Sequence, residues 1–190
     1  MLLAVAALAA GACGPKENAG TDSAAATTAD TTGLGAQQAI APAWTDANIF
    51  ALLDEANAAD STHGQVASTK GTGAAVREFG RQMMRDHHTL RAEGQALGKR
   101  LDVTPAPPPG DTVPAHAQRI SDLLNTTAKG KDFDKAYIDH QVEMHKGLLD
   151  LATKAMTAAQ STELKNLIQK AAPVVQGHLD KAQSIQRDMQ

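Results

Sequence analysis

Residues Ala74 to Leu101 read AAVREFGRQMMRDHHTLRAEGQALGKRL, and just beyond them Thr104 to Pro114 read TPAPPPGDTVP. In the first stretch Val76, Phe79, Met83, His87, Leu90, Gly94, Leu97 and Leu101 recur at alternating steps of three and four. That spacing lines side chains along one stripe of a helix and makes a seam for packing against other helices. In the second stretch the prolines lack backbone donors and push the residues before them out of helical geometry. A long helix therefore ends near Leu101, and the chain must travel before another can begin.

The same pattern extends to both sides. Upstream, Thr45 or Asp46 can N-cap a helix running to about Thr69, with a stripe of Phe50, Leu53, Ala56, Asp60, Gly64 and Ala67, and Lys70-Gly71-Thr72-Gly73 breaks it. Downstream, a short helix is expected over Ala115 to Thr126, with Ile120, Leu123 and Leu124 on one side. A third long helix follows from about Asp132 to Ala158, carrying Phe133, Tyr137, His140, Met144, Leu148, Leu151 and Ala155. Ser161-Thr162 starts a fourth that reaches about Asp188, with Leu164, Leu167, Ala171, Val174, His178, Ala182 and Ile185. Pro173 sits inside that last pattern and predicts a kink or a local irregularity.

The fold class that follows is all-α, a four-helix bundle over residues 44–190. The connection between the second and third long helices is far longer than the usual helix–helix turn of about 2–8 residues. One long crossover in a four-helix bundle is the ferritin-like arrangement, with helices two and three parallel. An up-down bundle carrying an excursion is the competing topology.

Composition agrees. The 190 residues are 42% apolar and 21% charged, ordinary for a globular chain. Aromatics supply only 3%, so the core must be built from Ala, Leu, Ile, Val and Met, several of which are good helix formers. A formal charge of -3 without any basic run argues against a nucleic-acid partner.

The single cysteine, Cys13, has no internal disulfide partner. Met1 to Ala10 (MLLAVAALAA) is continuously apolar, and Gly11-Ala12-Cys13-Gly14 follows with small residues. This is an apolar export segment leading into a cleavage site, and it is too short to span a membrane. It resembles a bacterial lipoprotein signal, which implies acylation of Cys13 and a membrane partner through that lipid. Ala10 stands where Leu is usual, and no Lys or Arg precedes the apolar run, which suggests a start further upstream. An ordinary secretory signal containing a cysteine is the alternative. No Asp stands at the position next to Cys13, so the expected location is the outer membrane facing the periplasm, or outside the cell if no lipid is attached. Residues 14–43 are Ala, Thr, Gly, Asp and Pro with almost no large apolar side chains. Such a stretch cannot offset its ordering entropy and is expected to be a flexible tether.

Each of the four stripes carries a polar residue able to bind metal: Asp60, His87, His178, and on the third helix either His140 or His145. At a rise of about 1.5 Å per residue, Asp60 lies roughly 16 Å and His87 roughly 24 Å from the end holding the first helix–helix turn. In ferritin-like topology His145 and His178 fall at roughly 21 Å and 16 Å. Three imidazoles and a carboxylate near one level form a ligand set suited to zinc or copper. The competing reading is a His/Asp hydrogen-bond network that fixes helix register, because such groups cannot be buried without partners.

Other histidines have simpler expectations: His88 faces solvent, and His116 caps or lies at the surface beside the prolines. His63 follows Asp60 by three, loosely imitating the Glu-x-x-His of di-iron bundles, so His63 and His140 are secondary metal candidates. A di-iron enzyme is not expected, since Glu143 is followed three later by Lys146 and no second motif exists. Phosphate loops, CxxC pairs and Ser/His/Asp signatures are missing, so no catalytic residue is assigned.

Val76-Arg77-Glu78-Phe79, Met83-Met84-Arg85-Asp86-His87, Phe133-Asp134-Lys135-Ala136-Tyr137, His145, and Ala172-Pro173 through His178-Leu179 together resemble a family of exported bacterial proteins, domain of unknown function 4142 (DUF4142). The resemblance spans about Ile49 to Met189. It implies a ferritin-like bundle and an outer-membrane location, and it places the family's histidines on His87, His145 and His178, choosing His145 over His140. The family's first-helix Glu falls on Asp60, an arm one methylene shorter. Two functions follow as expectations: an envelope metal-binding protein, or a non-enzymatic stress or interaction module, its protein partner unknown, whose polar core is structural.

Overall fold

The computed structural model describes residues 44–190; the signal segment, Cys13 and the tether expected over 14–43 lie outside the described residues. Four long helices, α1 (Asp46–Lys70), α2 (Ala74–Arg100), α4 (Lys131–Ala158) and α5 (Thr162–Asp188), make the bundle, with the short α3 (Val113–Thr126) in the crossover. There is no strand among the described residues, and no helix there is long and apolar enough to cross a membrane.

Local chemistry explains the boundaries. Thr45 Oγ1 accepts from the Asn48 N–H while the Asn48 side chain accepts from the Thr45 N–H, a reciprocal cap that starts α1. Helix α3 begins at Val113, inside the proline run rather than after it. Pro114 falls in the first turn, where its missing N–H would have had no partner anyway. Helix α5 continues through Pro173, which lies on the exposed side where water can take the carbonyl left without a donor.

Two carboxylate clamps, a buried one at Asp134 and a half-buried one at Asp46, settle the topology. Asp46, at the start of α1, accepts from the N–H groups of Gln160 and Ser161 in the turn between α4 and α5. Asp134, at the start of α4, accepts from the N–H groups of Thr72 and Gly73 between α1 and α2. Helix α1 is therefore antiparallel to α4, and α2 is parallel to α4. This is the ferritin-like arrangement, and the up-down alternative is excluded.

Helices α1 and α2 touch backbone to backbone. A Cβ on Gly80 would come within 2.7 Å of both the Gly64 carbonyl oxygen and the Ser68 nitrogen, and one on Gly64 would lie 2.7 Å from the Gly80 oxygen. The apolar core is divided lengthwise. One cluster, with Phe79, Met83, Phe133, Tyr137, Leu179 and Ile185, fills the end near the α1–α2 turn. Another, with Ile49, Phe50, Leu97, Ala155, Leu164 and Ile168, fills the opposite end.

Several stripe residues are less buried than the periodicity implies. Leu53, Leu90, Leu148, Leu151, Leu167 and Ala171 are half-buried because they line a cavity of about 400 Å³ between the helices. Val174 is 38% exposed, and its neighbour Val175 faces that cavity instead. On α3, Leu124 is buried while Leu123 is 44% exposed, so only part of the expected apolar side is covered.

The close α1–α2 contact has a direct test. Replacing Gly80 with Ala should destabilise the protein by about 1–3 kcal/mol or more, because backbone must move to admit the methyl group. Gly147→Ala, where nothing lies within 4 Å, should be neutral or stabilising by up to about 1 kcal/mol through helix propensity. Urea denaturation of the two variants checks both values.

Candidate metal centre

Between the two apolar clusters the seams turn polar. Asp60, His87, His145 and His178 are at most 1% exposed and meet at one level of the bundle, one from each long helix. His87 Nε2 lies 3.4 Å from His145 Nε2, and His145 Nε2 lies 3.4 Å from His178 Nδ1. Asp60 Oδ2 is 3.8 Å from His87 Nε2.

The outward nitrogens of the three rings are spoken for, and their partners set the tautomers. Asn57 donates through Nδ2 to the Leu53 carbonyl, which orients its Oδ1 toward His87 Nδ1 at 2.8 Å. His145 Nδ1 faces the Gln141 carbonyl oxygen at 3.0 Å, and His178 Nε2 faces Asp86 Oδ2 at 2.9 Å. Each of these oxygens can only accept, so each ring places its proton on the outer nitrogen. The inner nitrogens, His87 Nε2, His145 Nε2 and His178 Nδ1, then all carry lone pairs and face one another.

Lone pairs cannot hydrogen-bond to lone pairs, and burial disfavours protonation of His87 and His145. Burial pushes His87 down to about 3, assisted by the neighbouring His178, and pushes His145 down to about 4. With His87 neutral, its approach to Asp60 is proximity rather than an ion pair. Burial also holds the Asp60 carboxyl above its ordinary range. Asp60 Oδ1 accepts from Gln141 Nε2 at 3.3 Å, but Oδ2 has no partner.

Spacing suits a cation. Nitrogens bound at about 2.0–2.1 Å around a tetrahedral ion lie about 3.3–3.4 Å apart. Imidazole ligands also characteristically donate their other N–H to a carbonyl or carboxylate, the pattern made here by Gln141 and Asp86. This group of buried His and Asp side chains can hold a metal ion.

The secondary candidates lie elsewhere. His63 and His140 do not join the three-histidine group; they face each other on the other side of Asp60, ring centroids 5.2 Å apart. His88 is exposed, as expected. His116 is half-buried rather than a surface cap, with its ring 5.8 Å from that of His140. Asn57, Asp86 and the Gln141 carbonyl were not anticipated as supports. Each lies within one turn of a candidate ligand on the same helix, the signal that points to them.

The model of the family described as Domain of unknown function (DUF4142) matches residues 19–185. The chain belongs to that family. Among solved structures, this member is similar to "CopM in the Cu(II)-bound form", with a TM-score of 0.60 and 16% sequence identity. The likeness covers 76% of this chain and 98% of that one, and at this identity it speaks for the fold. Curated protein sequences give no match.

The buried histidines make the metal-free protein acid-sensitive. His87 and His140 at about 3 and His145 at about 4 sit below the ordinary 6.5, so between those limits the unfolded chain binds more protons than the folded one. Their stability contribution is complete above about pH 6.5 and is lost as pH falls toward about 3. Asp60 and Glu55, the latter raised to about 7, act in the opposite sense, while His63, also lowered by burial, adds to the histidine side. The urea midpoint of metal-free protein should fall between about pH 7 and pH 4, and His140→Leu should flatten that slope.

Proposed function

We propose that this protein is an exported envelope protein that binds a late first-row transition metal, copper above zinc, through His87 Nε2, His145 Nε2, His178 Nδ1 and Asp60. The observation that carries the reading is the meeting of three buried lone pairs whose outer N–H groups are already committed. Copper is favoured over zinc by the intrinsic affinity order at nitrogen and oxygen sites. The Cu(II)-bound form of the similarly folded CopM agrees with that choice. Asp60 supplies the negative charge that a dication in a buried site needs, and Asp86 holds the His178 tautomer in place. The cavity beside the site has His87 and Asn57 in its wall, together with Leu90 and Leu148.

Export and attachment belong to the same proposal. The apolar segment before Cys13 and the tether-like composition of 14–43 support a lipid-held domain standing off the membrane surface. Mass spectrometry of the mature protein should find acylated Cys13, and an unmodified terminus elsewhere would remove the anchor.

Calorimetric or competition titration with Cu²⁺ and Zn²⁺ at neutral pH tests the metal site. A saturable high-affinity site is expected, tighter for Cu²⁺, and that high-affinity binding should be lost in a His87→Gln/His145→Gln double variant. Asp86→Ala, which touches no metal but frees the His178 ring, should weaken binding by about 10–100-fold. An unchanged affinity in the double variant would leave the cluster a structural element only.

A further inference from the structure

The carboxylate of Asp60 faces a second group that the three-histidine centre does not use. Asp60, His63 and His140, all buried, each present one ligand atom within 4.8 Å of the other two. His63 Nε2 lies 3.3 Å from the Ala117 carbonyl oxygen and 3.1 Å from Ser121 Oγ on α3. The carbonyl can only accept, so the His63 proton is on Nε2 and the lone pair is on Nδ1. That Nδ1 is buried without a partner, and so are His140 Nε2 and Asp60 Oδ2. Leaving one such group unpaired is costly, and three in one place is a concentrated penalty. Nearby in sequence on α4, the Tyr137 hydroxyl and Gln141 Oε1 are also buried without partners.

This second group also differs in access. His87 of the three-histidine centre lies in the wall of the larger cavity, whereas His63 and His140 line a separate cavity of about 180 Å³ beneath α3. Met144, one turn beyond His140 on α4, lines the same cavity, as does the half-buried His116. His116 Nδ1 already accepts from Arg119 at 3.2 Å, so it borders the mouth rather than adding a free lone pair.

We propose that Asp60, His63 and His140 form a second transition-metal site, reached from solvent through the cavity beneath α3. It stands beside the three-histidine site and shares only Asp60 with it. Two imidazoles and a carboxylate suit copper or zinc, and the Met144 thioether on the cavity wall adds a soft donor that favours copper. With three ligands instead of four, the second site is the weaker of the two. The bundle then holds two ions on either side of one carboxylate.

Equilibrium titration of the full chain with Zn²⁺ alone tests this, with circular dichroism checking each variant's fold. The wild type should take up two equivalents, and His63→Gln/His140→Gln should retain one, the tighter. His87→Gln/His145→Gln should also retain one, the weaker. A single wild-type equivalent lost only in His87→Gln/His145→Gln overturns the second site and leaves the proposed function standing. A single equivalent lost only in His63→Gln/His140→Gln overturns the three-histidine site and leaves this one. A single equivalent lost in both variants means one shared ion and overturns the second site as a separate one. Should a glutamine variant fail to fold, ¹⁵N NMR of the wild-type histidine rings decides. The second equivalent of Zn²⁺ should shift His63 Nδ1 and His140 Nε2; resonances that stay still through saturation overturn the proposal.

Discussion

Three imidazole rings that have each given their only proton outward are left with lone pairs pointing at one another. In water such an arrangement would relax by rotation or by solvation. Inside this bundle neither route is open, because Asn57, the Gln141 carbonyl and Asp86 hold the outer nitrogens and the rings are at most 1% exposed. Repulsion between lone pairs in a low-dielectric interior is a cost that a positive charge at their centre removes. The remainder of the structure can be understood as what is needed to keep those nitrogens from escaping.

Rigidity comes from the ends and from one tight seam. Asp46 and Asp134 tie opposite ends of the bundle by accepting from backbone N–H groups in the turns before α5 and α2, so α1 and α4 cannot slide along each other. Glycines 64 and 80 let α1 and α2 approach until backbones touch, which fixes the levels of Asp60 and His87 relative to one another. Closed apolar clusters sit above and below the polar level and exclude water from it. On the α3 side a cavity reaches the polar groups, past His116 and Met144. The cavity against His87 is the other break in close packing, and its half-buried leucines come from the same stripes that predict a closed core.

Much of the helix plan was legible from residue spacing. The stripe in α2, the glycine break after Lys70 and the proline run mark boundaries through backbone constraints that act within a few residues. The α3 start was misplaced because proline is both a helix breaker and a good first-turn residue, and local sequence does not say which role applies. Depth was legible too: a constant rise per residue brought Asp60, His87, His145 and His178 to roughly one level before any coordinates. What spacing could not supply was direction around each axis. His63, three residues after Asp60, is turned about 60° from it and so faces a different neighbour.

The sequence by itself determined that four apolar seams, each interrupted by a ligating side chain, would assemble into a helical bundle, because periodicity and capping are properties of a single helix. Tertiary structure alone decided which helices adjoin, and with them the division of the polar residues into two groups. Since α4 and α3 cover the His63 side of α1 while α2 and α5 complete the other side, His140 joins His63 and His145 joins His87 and His178. Ring tautomers likewise depend on partners as distant in sequence as Asp86 from His178. Hydrogen-bond acceptors are chosen by proximity in space, which no local pattern encodes.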